Sequence, residues 1–209
     1  MKQISIRDKK RLQTSTAILE SAKRLFTRQG FEHTTMEQIA EDAVVATGTL
    51  YNYYTSKGDI LVAIMAEHAA RSLTEGSSLY VANLENPVEA LSEMISRYTA
   101  VFLSLEPNLL GKSIALALEN PQTMGQRLFS IDYQLITQLE QALKEMQEQG
   151  RLIHSLNTQD TAYLLYSMGF MSILLSYAGV LPAPGTEEYI KRQVTQIIEP
   201  RLSKKVKKG

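Results

Sequence analysis

Thr34 to Lys57 reads T-T-M-E-Q-I-A-E-D-A-V-V-A-T-G-T-L-Y-N-Y-Y-T-S-K, the pattern of two short helices meeting at a tight turn. Thr34 and Thr35 are N-cap residue types, and Glu37 and Gln38 supply capping partners in the first turn. Met36, Ile39, Ala40 and Ala43 recur at helical spacing, which predicts a helix over about 35–43. Residues 44–46 break that pattern, and a second element follows over 47–54, with Leu50 and Tyr54 facing inward at i, i+4. Its outward face is then Thr47, Gly48, Thr49, Tyr51, Asn52 and Tyr53. That face has no charge and is rich in hydroxyl and aromatic groups. A helix facing only water usually carries Lys and Glu there, whereas one lying in a DNA major groove needs hydroxyls and aromatic edges that reach phosphates and bases. Gly48 would let the backbone approach the sugar–phosphate wall closely. These residues alone also fit an ordinary helical hairpin with a polar outer face.

The flanks extend the pattern. Upstream stands A-I-L-E-S-A-K-R-L-F-T-R-Q-G-F-E-H-T-T (17–35), and downstream G-T-L-Y-N-Y-Y-T-S-K-G-D-I-L (48–61). Together the three stretches resemble the helix-turn-helix of the TetR family of one-component bacterial transcription repressors: the first helix with its Gly-Phe end, the Thr-Thr start of the second, the recognition helix and the start of the fourth. The resemblance covers about the first quarter of the chain. It implies an all-α protein with a three-helix DNA-binding domain (1–57) and a helical effector-binding and dimerisation domain (58–209). It further implies a double-stranded palindromic operator as partner and a homodimer made through the last two helices. Thr47, Gly48, Thr49, Tyr51, Asn52 and Tyr53 are the expected groove contacts, with Thr35 and Lys57 on phosphates. An effector pocket is implied in the second domain, for an unidentified small molecule. Tyr98, Phe102, Met124, Phe129, Tyr133, Tyr163, Tyr166, Phe170 and Met171 are offered as its lining, and Glu106, Glu119 and Asp132 as carboxylates that could meet a cationic effector.

Two departures from the family pattern bear on function. Val44 stands where the family usually has Gly, and a β-branched residue is poorly suited to positive φ, so the turn is expected to be rearranged or strained. Ala46 and Thr47 stand where the family usually has Ser at the N-cap and Lys after it, which removes a cap and a charge, each worth on the order of 1 kcal/mol. These departures are the support for a rival reading: a helical small-molecule-binding or enzymatic protein of the same fold that does not bind an operator.

Outside this region the chain excludes more than it assigns. It has no cysteine, so disulfides and thiolate metal or redox chemistry are ruled out. His33, His68 and His154 lack the spacing of a metal site, and no phosphate-binding glycine loop or nucleophile motif occurs, so neither metal, cofactor nor catalysis is expected. The net charge of zero hides a segregation. Residues 1–60 carry nine basic and seven acidic side chains, 61–200 eight and fifteen, and 201–209 five and none. The cluster Lys2, Arg7, Lys9, Lys10 and Arg11 at the start of the chain could neutralise phosphates, while Lys204, Lys205, Lys207 and Lys208 read as a solubilising end. The polar, basic start has no apolar signal core, so a cytoplasmic location is expected.

Further helices are expected over about 6–29, 59–77, 88–105, 109–119, 122–149, 158–180 and 187–202, with stops at Gly30 and Gly150 and breaks at Asn86-Pro87, Glu106-Pro107-Asn108 and Asn120-Pro121. Between Asp160 and Glu187 no charge occurs. A membrane span would have that length, but the serines and tyrosines and the lack of flanking Lys or Arg favour a buried dimer helix, its small residues Ala162, Gly169, Ser172, Ser176 and Gly179 facing another helix. A membrane-tethered regulator is thus a weak rival.

Overall fold

In the computed structural model the chain is described over residues 5–80, 86–105, 107–181 and 185–203. Lys2, Glu106, the 182–184 connector and the lysines from 204 onward lie outside these residues. The described residues form α1 (Ile6–Gln29), α2 (Met36–Asp42), α3 (Thr47–Tyr51), α4 (Lys57–Tyr80), α5 (Pro87–Leu103), α6 (Pro107–Glu119), α7 (Gln126–Glu148), α8 (Thr158–Tyr177) and α9 (Thr186–Ile198). The protein is all-α, as expected; a lone antiparallel bridge pairs Leu152 with Leu202 near the end of the described chain.

Local chemistry sets the helix ends. Ser5 Oγ accepts the Asp8 amide to open α1, and Gly30, at φ 84°, closes it. α4 starts at Lys57, earlier than expected, because Ser56 Oγ takes the Asp59 amide at 3.1 Å. Asn86 Oδ1 accepts the amides of Val88 and Glu89 and seats Pro87 in the first turn of α5. The helix expected from 122 begins instead with a wide π-type turn, Pro121–Gly125, before α7. Gly125 fits there because a Cβ would lie 2.8 Å from the Ala117 carbonyl oxygen.

Compactness divides the chain into two units. One comprises Met1–Ala66 with Lys112–Leu128, and the other Glu67–Gly111 with Phe129–Gly209. This division differs from one drawn after residue 57, since the part of α4 up to Ala66 and the segment Lys112–Leu128 group with the helix-turn-helix. The first unit closes over Ile18, Ala22, Leu25, Phe26, Ile39, Leu50 and Ile60, with the Phe26 and Phe31 rings 5.1 Å apart. In the second, α5 packs against both α8 and α9, and Leu91, Ile95, Tyr98, Leu135, Leu139 and Ile190 are buried. The small residues of α8 serve this internal packing: Ala162, Gly169 and Ser172 are buried, and a Cβ on Gly169 would come within 2.7 Å of Ile95 Cγ2. At Gly169 the close approach expected of this small-residue side is to α5 of the same chain, while Ser176 bonds to Thr186 of α9. No single helix among the described residues is long and apolar enough to cross a membrane.

Candidate nucleic-acid interface

The reading head is built from α1 upward. Ser21 Oγ donates to the Ile39 carbonyl, and Arg24 pairs with Asp42 at 2.6 Å, so α1 holds the middle and the C-terminal end of α2. Hydrogen bonds from Arg24 and Ser21 keep the Asp42 carboxyl below its usual range. Thr35 and Gln38 form a reciprocal capping box at the start of α2. Thr34 does not cap: it is buried and donates to the Gly30 carbonyl at 2.8 Å, tying the end of α1 to the start of α2.

The turn between α2 and α3 is closed by Val45 N–H to Ala40 O (2.9 Å) and Val44 N–H to Glu41 O (3.0 Å), with Val44 at φ 55°. This is a Schellman turn whose left-handed position holds valine instead of glycine. Of the two outcomes expected for Val44, strain is the one observed: it is the non-glycine residue at positive φ among the described residues. Ala46 provides no side-chain cap to α3.

α3 is short, and Asn52, Tyr53 and Tyr54 continue it as a turn bonded to Thr49 and Leu50. Leu50 and Tyr54 are buried, as the i, i+4 spacing predicts. Tyr51 is 48 % exposed. Gly48 and Asn52 are exposed, and Thr47, Thr49 and Tyr53 half-buried. The uncharged outward face is therefore accessible, and its tyrosines at 51 and 53 are not core residues.

Lys57 is put to internal use: Nζ donates to the carbonyls of Phe31 (2.8 Å) and Glu32 (2.9 Å) and lies 4.6 Å from the Phe31 ring centre. Lys112 adds an ion pair to Glu32 at 3.3 Å. A residue with no signal in the sequence also reaches this unit. Arg127 Nη1 binds Asp59 Oδ1 at 2.6 Å, in a cleft of about 450 Å³ that Arg11, Ser15, Tyr53 and Tyr54 also line.

Residues 18–64 match the model of the bacterial regulatory proteins of the tetR family. The chain is 30 % identical over 170 residues to the HTH-type transcriptional regulator YvkB of Bacillus subtilis, covering 78 % of this chain and 80 % of that one. The chain belongs to the tetR family. The regulator is also 24 % identical to the HTH-type transcriptional regulator UidR of Escherichia coli, over 75 % of its length and 78 % of UidR. Among solved structures it resembles Thermus thermophilus FadR, a TetR-family repressor in complex with lauroyl-CoA, at 26 % identity and a TM-score of 0.71, covering 88 % of this chain and 93 % of that one. The regulator is accordingly a helix-turn-helix DNA-binding transcriptional regulator.

In the second unit the aromatic residues offered as effector lining are scattered. Tyr98 and Phe102 are core, with rings 4.9 Å apart, and Phe170 is half-buried beside Tyr166. Phe129, Tyr133, Tyr163 and Met171 are exposed in the single chain, because each lies on the outer side of its helix. Of the three carboxylates, Glu119 is exposed and Asp132 is only 5 % exposed. Tyr98 Oη donates to Asp132 Oδ1, and the Tyr166 hydroxyl is a second partner. Burial raises the Asp132 carboxyl to about 6, against the pull of the Tyr166 hydrogen bond, and burial together with the adjacent carboxylate pushes the Tyr166 phenol up. The signal for Asp132 was in the spacing: with Leu128, Leu135 and Leu139 it falls on the buried stripe of α7. Among the described residues no group of His, Asp and Glu is placed to hold a metal ion.

Proposed function

We propose that the regulator acts in the cytoplasm as a homodimeric repressor of a palindromic operator and is released by a small-molecule effector. The observation that carries this reading is the accessible, uncharged face of Thr47, Gly48, Thr49, Tyr51, Asn52 and Tyr53, presented by a helix whose own core residues Leu50 and Tyr54 are buried. Two such faces in a dimer would enter successive major grooves about one helical turn apart or somewhat more. Thr35, exposed at the start of α2, would add a phosphate contact, and Lys57 would act by bracing the Phe31–Glu32 segment, since its ammonium already serves those two carbonyls.

Dimerisation through α8 and α9 is supported by the outer side of α8, where Tyr163, Leu164, Met171 and Tyr177 are exposed and no charge interrupts them. The effector reading is supported by the FadR relative's complex with lauroyl-CoA. Tyr98, Phe102, Tyr166 and Phe170 are buried or half-buried aromatic groups of this bundle. The buried Asp132 beside them favours an effector offering a positive charge or a hydrogen-bond donor over a plain acyl chain. Effector binding would alter α4 and change the spacing of the two heads, with a coupling of roughly 1–3 kcal/mol.

Selection of random duplex DNA by the purified protein tests the reading. One palindromic sequence should emerge, and Tyr51→Ala should weaken binding to it about tenfold at matched salt while the dimer stays folded. An operator affinity unchanged by Tyr51→Ala would refute the assignment of this face.

A further inference from the structure

Arg127 lies 68 residues from Asp59 in sequence, yet it completes the capping of α4. One oxygen of the Asp59 carboxylate accepts the Thr55 amide at 3.1 Å, and the Asp59 amide in turn goes to Ser56 Oγ at 3.1 Å. The other oxygen is held by Arg127 Nη1 at 2.6 Å, and the same nitrogen lies 3.3 Å from the Asp59 carbonyl oxygen. The guanidinium also sits 5.7 Å from the centre of the Tyr54 ring, whose hydroxyl is 2.8 Å from Ser15 Oγ on α1. Tyr54 directly follows Tyr51, Asn52 and Tyr53. The exit of the recognition segment is thus clamped between α1, the first turn of α4 and one arginine from α7.

We propose that Arg127 is a positioning residue for DNA reading: through Asp59 and Tyr54 it fixes the 53–55 turn, so that Tyr51, Asn52 and Tyr53 are presented in a single conformation. This rests on the assignment of that face to DNA. Arg127 is partly exposed in the cleft it shares with Tyr53, so a direct phosphate contact is the competing role. The geometry disfavours it, because a phosphate would have to approach a guanidinium already matched at 2.6 Å by a carboxylate and would be repelled by that carboxylate. The Asp59 carboxylate is buried, but the Arg127 guanidinium is partly exposed, and solvent screening keeps the pair's contribution to global stability modest. Its effect is expected in the ordering of a neighbouring binding surface, which otherwise has to be ordered at the moment of binding.

Arg127→Ala should lose about tenfold in operator affinity while the melting temperature moves by only a few degrees. Asp59→Asn should lose a similar factor, the double variant no more than either single one, and Arg127→Lys should recover part of the loss. The slope of log affinity against log salt should stay that of the wild type; a fall of about one would make Arg127 a phosphate ligand and overturn the proposal. So would affinity within twofold of wild type, or additive losses. Should Arg127→Ala fold poorly, Arg127→Gln serves the same comparison. Amide exchange in the DNA-free protein separates this proposal from the operator reading: Tyr53, Tyr54 and Thr55 should exchange faster in the Arg127 variants. If the wild type selects no DNA, the operator reading falls and faster exchange at 53–55 still upholds the clamp; unchanged exchange sinks the clamp itself.

Discussion

Three helices of this regulator end in the same way, and one of them uses the wrong residue. α7 closes with Arg151 N–H to Met146 O and Gly150 N–H to Gln147 O, both at 2.9 Å, with Gly150 at φ 69°. α8 repeats the pattern with Val180 N–H to Leu175 O (2.9 Å), Gly179 N–H to Ser176 O (3.0 Å) and Gly179 at φ 70°. α2 makes equivalent bonds, but its left-handed residue is Val44, at φ 55°. A β-branched side chain there costs on the order of 1–2 kcal/mol. The Val44 side chain, 90 % exposed, recovers nothing by packing. The bundle thus meets the backbone's demand with glycine, while the reading head carries strain in the turn that sets α3 against α2.

The bundle has an unfavourable feature of its own, of a different kind: the Asp132 carboxyl, buried among tyrosines with no cation pairing it among the described residues. This contrast sets the largest expected effect. A carboxyl raised to about 6 from 3.8 binds its proton more tightly in the folded state. Its contribution is therefore most favourable below about pH 4 and is lost as pH rises through about 6. Asp132→Asn keeps an acceptor for Tyr98 and removes the charge, so the variant should be more stable than wild type at pH 8 by on the order of 2 kcal/mol, with the difference vanishing near pH 4. Urea unfolding at both pH values checks this; a variant that is less stable at pH 8 would show that the charge is compensated inside the bundle.

The head was legible in the sequence because its determinants are short-range. The Thr35 and Gln38 box, the buried Leu50 and Tyr54 and the Gly30 stop all lie within a few residues of their partners, and the strain at Val44 followed from residue type and position alone. Thr34 misled because two adjacent threonines offer the same cap, and only the packing of α1 on α2 decides which one is buried. Arg127 was illegible, since nothing in Gln126-Arg127-Leu128 indicates a partner at Asp59. The same holds for the assignment of residues 112–128 to the helix-turn-helix unit, and for α8, whose small residues fit an internal and an intersubunit face equally well until Ile95 is placed against Gly169.

Exchanging residue types between the turns tests whether the difference between them is purely one of backbone. Nothing lies within 4 Å of a Cβ built on Gly150, so the branch point of a side chain there is in open space and Gly150→Val reports chiefly the conformational cost. It should destabilise the protein by about 1–2 kcal/mol in urea unfolding, without change in the steepness of the transition. A loss much greater than this would mean that the turn also governs the strand-like pairing of Arg151 and Ile153 with Ser203 and Arg201 just beyond it.

The converse change, Val44→Gly, should have the smallest effect and the opposite sign. Relief of the left-handed valine is partly offset by the extra freedom glycine has in the unfolded chain, about 0.5–1 kcal/mol, which leaves a net gain of at most about 1 kcal/mol. In a chain of 209 residues that corresponds to a rise of roughly 2–4 °C in melting temperature. Because the family usually carries glycine at this position, operator affinity should stay within about twofold. That outcome would make the strain a tolerated cost of an exposed turn, with recognition set by the Arg127, Asp59 and Tyr54 clamp on the far side of α3. A stabilised variant that binds its operator much more weakly would instead place Val44 in the recognition geometry, because stiffness at that φ would then be what holds α3 at its working angle to α2.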